Sequence, residues 1–307
     1  MKLLVGCDPE IFLKDSKTGK HVSAHDIVPG TKKKPYPVKK GAVQHDGVAL
    51  EINIDPASSA DEFQDTLTTV LKEARELVPS NLEFDYTPAV EFDRTYFNSL
   101  PEDVRTLGCD PDYNAISGER NRIPDRERLG MPSLCTGAGH LALGWTKDAD
   151  VFDEEHFWDC QQISLRLDKY FQSTKLLWDL DNTRHNLYGA NAAFRPKPFG
   201  VEYRSLSNAW LGRPELWPWI FDSAKFVFDH AVAGKKTYKV RGVNPFAYFA
   251  KGYDRNYRMI QGFQYPADQR IALLNPFIKS IYGDDPPALP KTFVPVEYPE
   301  NPIFYRH

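Results

Sequence analysis

Apolar and polar positions alternate along this chain in two distinct rhythms. Phe63, Leu67, Val70, Leu71, Ala74, Leu77 and Val78 recur at helical spacing. They follow Ser59-Ala60-Asp61-Glu62, a capping-box pattern, and stop at Pro79, which predicts a helix over residues 59–78. A second stripe of Phe157, Cys160, Ile163, Leu167, Tyr170 and Phe171 predicts a helix over 153–177. A third helix is predicted over 214–233, with Pro214 near its first turn and Gly234 beyond its end.

Strand-like alternation marks residues 2–6, 9–13, 47–54, 82–87, 139–146 and 199–205. Strands and helices do not alternate as in a doubly wound fold. The order instead predicts an α+β domain, a largely antiparallel sheet with helices on one face. Residues 88–136 read as irregular, with Arg120, Arg122, Arg126 and Arg128 mixed among acids. Such a stretch is either a functional lid or a salt-bridged surface loop. Gly108-Cys109-Asp110-Pro111-Asp112 echoes Gly6-Cys7-Asp8-Pro9-Glu10, but polar residues follow it, so it is read as coincidence or substrate-loop chemistry. The tail from Pro286 carries further prolines at 287, 290, 295, 299 and 302. It is expected to wrap the domain in extended form or to be partly disordered.

Four strand segments carry their chemistry on one face. Asp8 and Glu10 oppose Pro9 and Ile11. Glu51 and Asn53, following His45-Asp46-Gly47, oppose Leu50, Ile52 and Ile54. His140, Ala142 and Gly144 oppose Leu141, Leu143 and Trp145. Glu202 and Arg204 oppose Val201 and Tyr203. On a shared sheet the polar faces would form a floor of carboxylates with one imidazole and one guanidinium. Each strand alone is equally explained by a solvated face, His140 alone by a satisfied core histidine, and Arg204 by an ion pair with Glu202. Together they point to a divalent cation, because acids that crowd one face repel unless one offsets them. Carboxylates with a single His suit Mg²⁺ or Mn²⁺ better than zinc, and Mg²⁺ sites commonly include substrate phosphates. No phosphate-binding glycine loop is present. Gly137-Ala138-Gly139-His140-Leu141-Ala142 fits a dinucleotide fingerprint, yet a strand-like alternation follows it rather than a helix. Positive charge for phosphates is sought in Arg184, Arg195, Lys197 and Arg204. Lys32, Lys33, Lys34, Lys39 and Lys40 read as a solvated basic loop.

The 307 residues have a net charge of −4, which argues against nucleic acid or an anionic membrane as principal partner. No apolar run reaches the length of a membrane span and the opening residues lack a signal-peptide pattern, so a cytoplasmic protein is expected. Cys7, Cys109, Cys135 and Cys160 are scattered and read as reduced thiols.

Asp8-Pro9-Glu10-Ile11-Phe12-Leu13-Lys14-Asp15 resembles the acidic strand E-P-E-F-F-L-F-D of glutamine synthetases. Gly137-Ala138-Gly139-His140 is similar to their glycine-rich strand with a metal-binding His, and Val201-Glu202-Tyr203-Arg204 to their late E-x-R strand. With His45-Asp46-Gly47 through Asn53, and Tyr188-Gly189 through Pro198, the set most resembles the phage-type carboxylate–amine ligases. These are amidoligases of the glutamine synthetase/γ-glutamylcysteine synthetase superfamily. The resemblance spans about residues 1–210. It implies a half-barrel catalytic domain, set at 1–234, with an aromatic and Pro-rich extension at 235–307 packed on the same domain.

The resemblance further implies an ATP- and Mg²⁺-dependent ligase that joins a small-molecule or peptide carboxylate to an amine through an acyl phosphate. It would act in the cytoplasm, that of a host if the gene is a phage's. Glu10 and Glu202 would be metal ligands and catalytic residues, with Asp8, His140, Asp46 and Glu51 completing the metal set. Arg204 would stabilise the phosphoryl group, Arg184 and Arg195 would contact ATP phosphates or the substrate carboxylate, and Lys197 is counted with the ATP contacts. Asp8 stands where the family has Glu, Ala142 replaces a second His, and no ammonia-site pattern is recognisable, so ammonia is not the expected amine. Two other readings use the same residues: a metal-dependent phosphoester hydrolase, and a non-catalytic phage structural or binding protein that keeps the fold.

Overall fold

The computed structural model describes residues 2–106, 112–122, 126–127, 130–181, 183–241 and 267–297. Its strands are β1 (Leu4–Cys7), β2 (Glu10–Asp15), β3 (His21–Val22), β4 (Tyr36–Val38), β5 (Gly41–Asp46), β6 (Ala49–Ile54), β7 (Leu82–Asp85), β8 (Ala89–Glu91), β9 (Tyr113–Asn114), β10 (Leu134–Thr136), β11 (Leu141–Gly144), β12 (Ala193–Lys197) and β13 (Gly200–Tyr203). Its helices are α1 (Ala60–Leu77), α2 (Arg94–Ser99), α3 (Glu102–Arg105), α4 (Glu154–Thr174), α5 (Thr183–Leu187), α6 (Trp217–Arg241) and α7 (Ala267–Tyr282).

The antiparallel strands curl into a half-barrel with helices packed beside it. One sheet runs β1-β11-β13-β12-β9; a second runs β3-β2-β6-β5-β4, with β7 also paired to β2; β8 and β10 form a separate antiparallel pair. A bridge between Val5 and Ala57 ties β1 to the end of β6. The α+β expectation therefore holds. The predicted apolar faces also hold: Ile11, Leu13, Leu50, Ile52, Ile54, Leu141, Leu143, Val201 and Tyr203 all lie in the main core. α1 packs against β5 and β6, α4 against β12 and β13, and α6 against both helices. Burying so many aliphatic side chains is the main stabilising term, at about 1.5–3 kcal/mol for each fully buried one.

α1 begins at Ser59, whose Oγ accepts from Glu62 N at 3.2 Å, while Glu62 Oε2 accepts from Ser58 N at 2.7 Å. The predicted cap is present, with the carboxylate reaching one residue further back. α4 is capped by Asp153, which accepts from His156 N at 2.8 Å. α6 runs through Gly234 to Arg241, past the predicted stop. A helical glycine costs only about 1 kcal/mol, and no proline lies between Gly234 and Arg241 to enforce a stop.

Two further expectations are corrected. Residues 88–136 are not an irregular loop: they hold β8, α2, α3, β9 and β10. Phe92, Phe97, Val104 and Cys135 from this stretch cover Phe12, Val48 and Ala49 as a second core. These elements are too short for a periodicity to emerge from sequence. Arg126 lies over the Phe97 ring and donates to Leu134 O and Arg105 O, tying this subdomain together. Arg120 lies over Tyr113, while Arg128 and Gly108–Pro111 lie outside the described residues.

Strand β12 lies outside the predicted strands, and it contains a proline. Pro196 sits beyond the end of β9, where the outer edge of β12 has no strand partner to accept a missing donor. Within the extension, α7 packs on α4. Tyr282 Oη donates to Arg166 O at 2.7 Å, and the buried Arg270 donates to Leu176 O. In the tail, Pro287 O accepts from Trp219 Nε1 at 3.0 Å and Val296 N donates to Leu177 O at 2.8 Å, so this segment lies along the domain, with a turn closed by Phe293 N donating to Pro290 O.

Candidate metal and phosphate site

The chain crosses from one sheet to the other at Asp8-Pro9, between β1 and β2. Pro9, which has no N–H to donate, stands between the two ladders, and its carbonyl accepts from Ile52 N at 3.2 Å. The two acids belong to different groups. The groups are neighbours, since the charge of Asp8 bears on Glu51.

Asp8 joins the first sheet. In register, Cys7, Leu141 and Tyr203 form one row across β1, β11 and β13. One step beyond it come Asp8, His140 and Arg204. One step before it come Gly6, Ala142 and Glu202, with Arg195 opposite Glu202 on β12. Gly6 and Ala142 leave the floor beside Glu202 free of bulk. Potential ligand atoms of Asp8, His140 and Glu202 lie within 4.8 Å of one another, with His140 Nδ1 3.6 Å from Asp8 Oδ1 and 3.7 Å from Glu202 Oε1. Glu202 is buried and surrounded by cations. Lys197 Nζ lies 2.6 Å from Oε2, while Arg204 Nη1 contacts Oε1 and Arg195 Nη1 lies 3.7 Å from it.

Glu10 joins the second sheet and faces Glu51 directly across the β2–β6 ladder. Like charges opposed in this way are destabilising. Asp46, at the end of β5, completes a group of ligand atoms within 4.8 Å. Asp46 Oδ2 is 3.3 Å from Lys32 Nζ, so that lysine of the basic loop reaches the group. Glu10 is fixed at both ends: its Oε2 accepts from Ala138 N at 2.8 Å and its carbonyl from Asn208 Nδ2 at 2.9 Å.

The glycine-rich segment permits this convergence. Gly139 is so close to the 205–210 turn that a Cβ would sit 2.1 Å from Ser207 O, and Trp210 Nε1 donates to Gly139 O at 3.0 Å. The segment then enters strand β11, in agreement with rejection of a dinucleotide fingerprint.

Burial dominates the electrostatics. It raises Asp8, against the opposing pull of Arg204, Lys197 and Arg195. It pushes Glu10 up to about 7, helped by Asp46 and opposed by the Ala138 N–H. Glu51 stands well above the carboxylate range through burial and then the charges of Asp8, Asp46 and Glu10. Burial, then Arg204, holds His140 well below its ordinary value, so the imidazole is neutral and able to donate a lone pair. Asp8 Oδ1 and His140 Nε2 are buried without a hydrogen-bond partner. Unpaired buried polar atoms are costly, and the oxygen-rich donor sets of both groups suit Mg²⁺ or Mn²⁺. The residues present therefore fit divalent metal.

All six expected metal ligands are thus gathered, in two groups of three. Of the expected phosphate contacts, Arg195, Lys197 and Arg204 surround the first group. Arg184 lies behind them: it is buried, its Nη1 donates to Ser205 O at 2.8 Å and its Nη2 to Arg204 O at 3.2 Å. In this structure it braces the strand that carries Arg204.

Two residues complete the site that the sequence named only inside longer motifs, with no role assigned to either. Asp112 is buried and accepts from Arg204 Nε at 3.1 Å. Tyr188 Oη accepts from Arg204 Nη2, and its ring lies beneath both Arg184 and Arg204. Only the repeat of the Cys-Asp-Pro echo before Asp112 signalled it. A crevice lined by Glu10, Asp46, Val48, Arg105, Thr136 and Tyr188 opens beside the second group. A scan against protein-family models returns no match, and neither does a search of curated proteins. No helix among the described residues is long and apolar enough to cross a membrane.

Proposed function

We propose that this chain is an ATP-dependent carboxylate–amine ligase of the glutamine synthetase-like amidoligase type. The observation that carries the reading is the pairing of two acidic groups, Asp8/His140/Glu202 and Glu10/Asp46/Glu51, with Arg204, Lys197 and Arg195 on one floor. Bound Mg²⁺ would supply charge neutralisation for ATP phosphates. Asp8, His140 and Glu202 would hold one ion, and Glu10, Asp46 and Glu51 another.

In the overall reaction the γ-phosphoryl of ATP passes to a substrate carboxylate oxygen, releasing ADP and leaving an acyl phosphate. The amine then attacks the acyl carbon, phosphate leaves, and a proton is lost from nitrogen. The protein's own contribution is positioning and fixed charge. Arg204 is pre-oriented by Asp112, Glu202 and Tyr188, so its guanidinium is held ready for charge that develops on the phosphoryl oxygens. Hydrolysis of a phosphoester could use the same acids, but the arginine and lysine array favours transfer from a polyphosphate.

The test is a panel of carboxylates and amines with ATP and Mg²⁺, scored by ADP formation. A ligase forms stoichiometric ADP and amide only when both co-substrates are present, and Glu10→Gln and Glu202→Gln abolish both while the fold persists. Phosphoester cleavage without ATP, or normal turnover in those variants, would overturn the reading.

A further inference from the structure

Both carboxylate oxygens of Glu202 are already engaged by cations. Arg204 holds Oε1 and Lys197 holds Oε2, the latter at 2.6 Å. A divalent ion bound by Asp8, His140 and Glu202 needs one of those oxygens. The acids here, Asp8, Asp112 and Glu202, are matched in formal charge by Arg195, Lys197 and Arg204. Counted by itself this half of the site is balanced before any metal arrives, so a divalent ion here gains little from the Asp8–Glu202 group alone.

The cations are not equally able to leave. Arg204 is buried and fastened to Asp112 and Tyr188 as well as Glu202. Lys197 has a side chain 30% exposed, on a flexible four-carbon stem at the open edge of β12.

We propose that Lys197 is an internal counter-cation that keeps the Asp8–His140–Glu202 group closed to divalent metal until a phosphate-bearing anion draws it off Glu202. The inference rests on the metal reading above and goes beyond it, because it makes metal entry at this one group depend on the anion. The same lysine is then both a metal surrogate in the free protein and a phosphate contact in the loaded one. The orphaned Asp8 Oδ1, 3.6 Å from His140 Nδ1, fits this view: the group is arranged for a metal while its third ligand is occupied.

Equilibrium dialysis of Mn²⁺ against the full chain, at matched free Mn²⁺ and with inorganic triphosphate absent or present on both sides, tests it. Without triphosphate, Lys197→Gln is expected to bind one Mn²⁺ tighter than the wild type by roughly tenfold or more. Lys197→Arg, which keeps the charge, should behave like the wild type. Triphosphate should raise binding in the wild type and narrow the gap. Asp8→Asn in the Lys197→Gln background should remove the gained affinity, which locates it. Unchanged or weaker Mn²⁺ binding by Lys197→Gln without triphosphate, while the wild type binds the ion, overturns this inference alone. Absence of Mn²⁺ binding in every protein, with triphosphate or without, overturns the metal reading and this inference together.

Discussion

Asp8 and Glu10 are two residues apart in the chain, yet they serve different acidic groups on different sheets. Asp8 faces His140 and Glu202, while Glu10 faces Asp46 and Glu51. The crossing at Pro9 makes one short segment the junction of both groups.

This separation predicts that Asp8→Asn and Glu10→Gln damage different metal sites. Each should weaken one class of Mn²⁺ site by at least about tenfold, since a charged ligand is replaced by a neutral one. Titration in the presence of triphosphate should show each variant losing one site and the double variant losing both. Loss of the same single site in both variants would refute the division.

Arg204 supports a second prediction. One planar guanidinium contacts Asp112, Glu202 and Tyr188 together. An ammonium has no comparable fork, so Arg204→Lys keeps the charge and loses the geometry. ADP formation in the coupled carboxylate and amine assay should fall on the order of a hundredfold or more. Far-ultraviolet circular dichroism should remain that of the wild type. Full activity in this variant would remove Arg204 from the mechanism.

The alternating faces were legible because strand burial has a period of two. Leu50, Ile52 and Ile54 could only point one way together. Asp8, Glu10, Glu51, His140 and Glu202 were legible for the same reason, as polar residues left on the opposite faces, whereas Asp46 joined the expected metal set beside Glu51 only through the family resemblance. The division of these six into two groups was not legible, because it depends on where a ladder ends, and Pro9 reads as an ordinary member of an extended run. The role of Asp112 was illegible for another reason, although its motif was noticed. Its partner Arg204 lies far along the chain, and local polarity around Asp112 matches any surface turn. The small elements near Phe97 and Val104 are stabilised by contact with Phe12 and Val48, which no local pattern reveals.

Asp85 gives a prediction on stability and pH. Its carboxylate accepts from Thr87 N at 2.9 Å and lies 2.8 Å from His21 Nε2, across strand β2. These contacts, that with His21 first, hold its carboxyl well below the usual range against the effect of burial. A depressed carboxyl binds fewer protons folded than unfolded, so it stabilises the fold above the unfolded value of about 4 and loses that contribution as pH falls further. Asp85→Asn should therefore cost about 1 kcal/mol at pH near 7. The deficit should shrink as pH falls below about 4. Urea midpoints of both proteins across that range check it, and a deficit that grows in acid would contradict the assignment.

Gly139 and Gly144 flank the same short strand and offer a paired test of how tightly the site is built. A Cβ on Gly139 would lie 2.1 Å from Ser207 O and 2.5 Å from Trp210 Nε1. Neither group can withdraw easily, since Gly139 N donates to Leu206 O and Trp210 donates back to Gly139 O. A Cβ on Gly144 would meet only ordinary contacts, the nearest at 3.6 Å from Phe199 O. Gly139→Ala should thus destabilise by about 2–3 kcal/mol through overpacking. Gly144→Ala should stay within roughly 1 kcal/mol of wild type. The first change also pushes the 205–210 turn away from His140 and Glu10, because Asn208 of that turn donates to the Glu10 carbonyl. Mn²⁺ affinity should fall in Gly139→Ala and hold in Gly144→Ala. Equal stability losses in the two variants would show that the close approach of turn and strand is not what Gly139 provides.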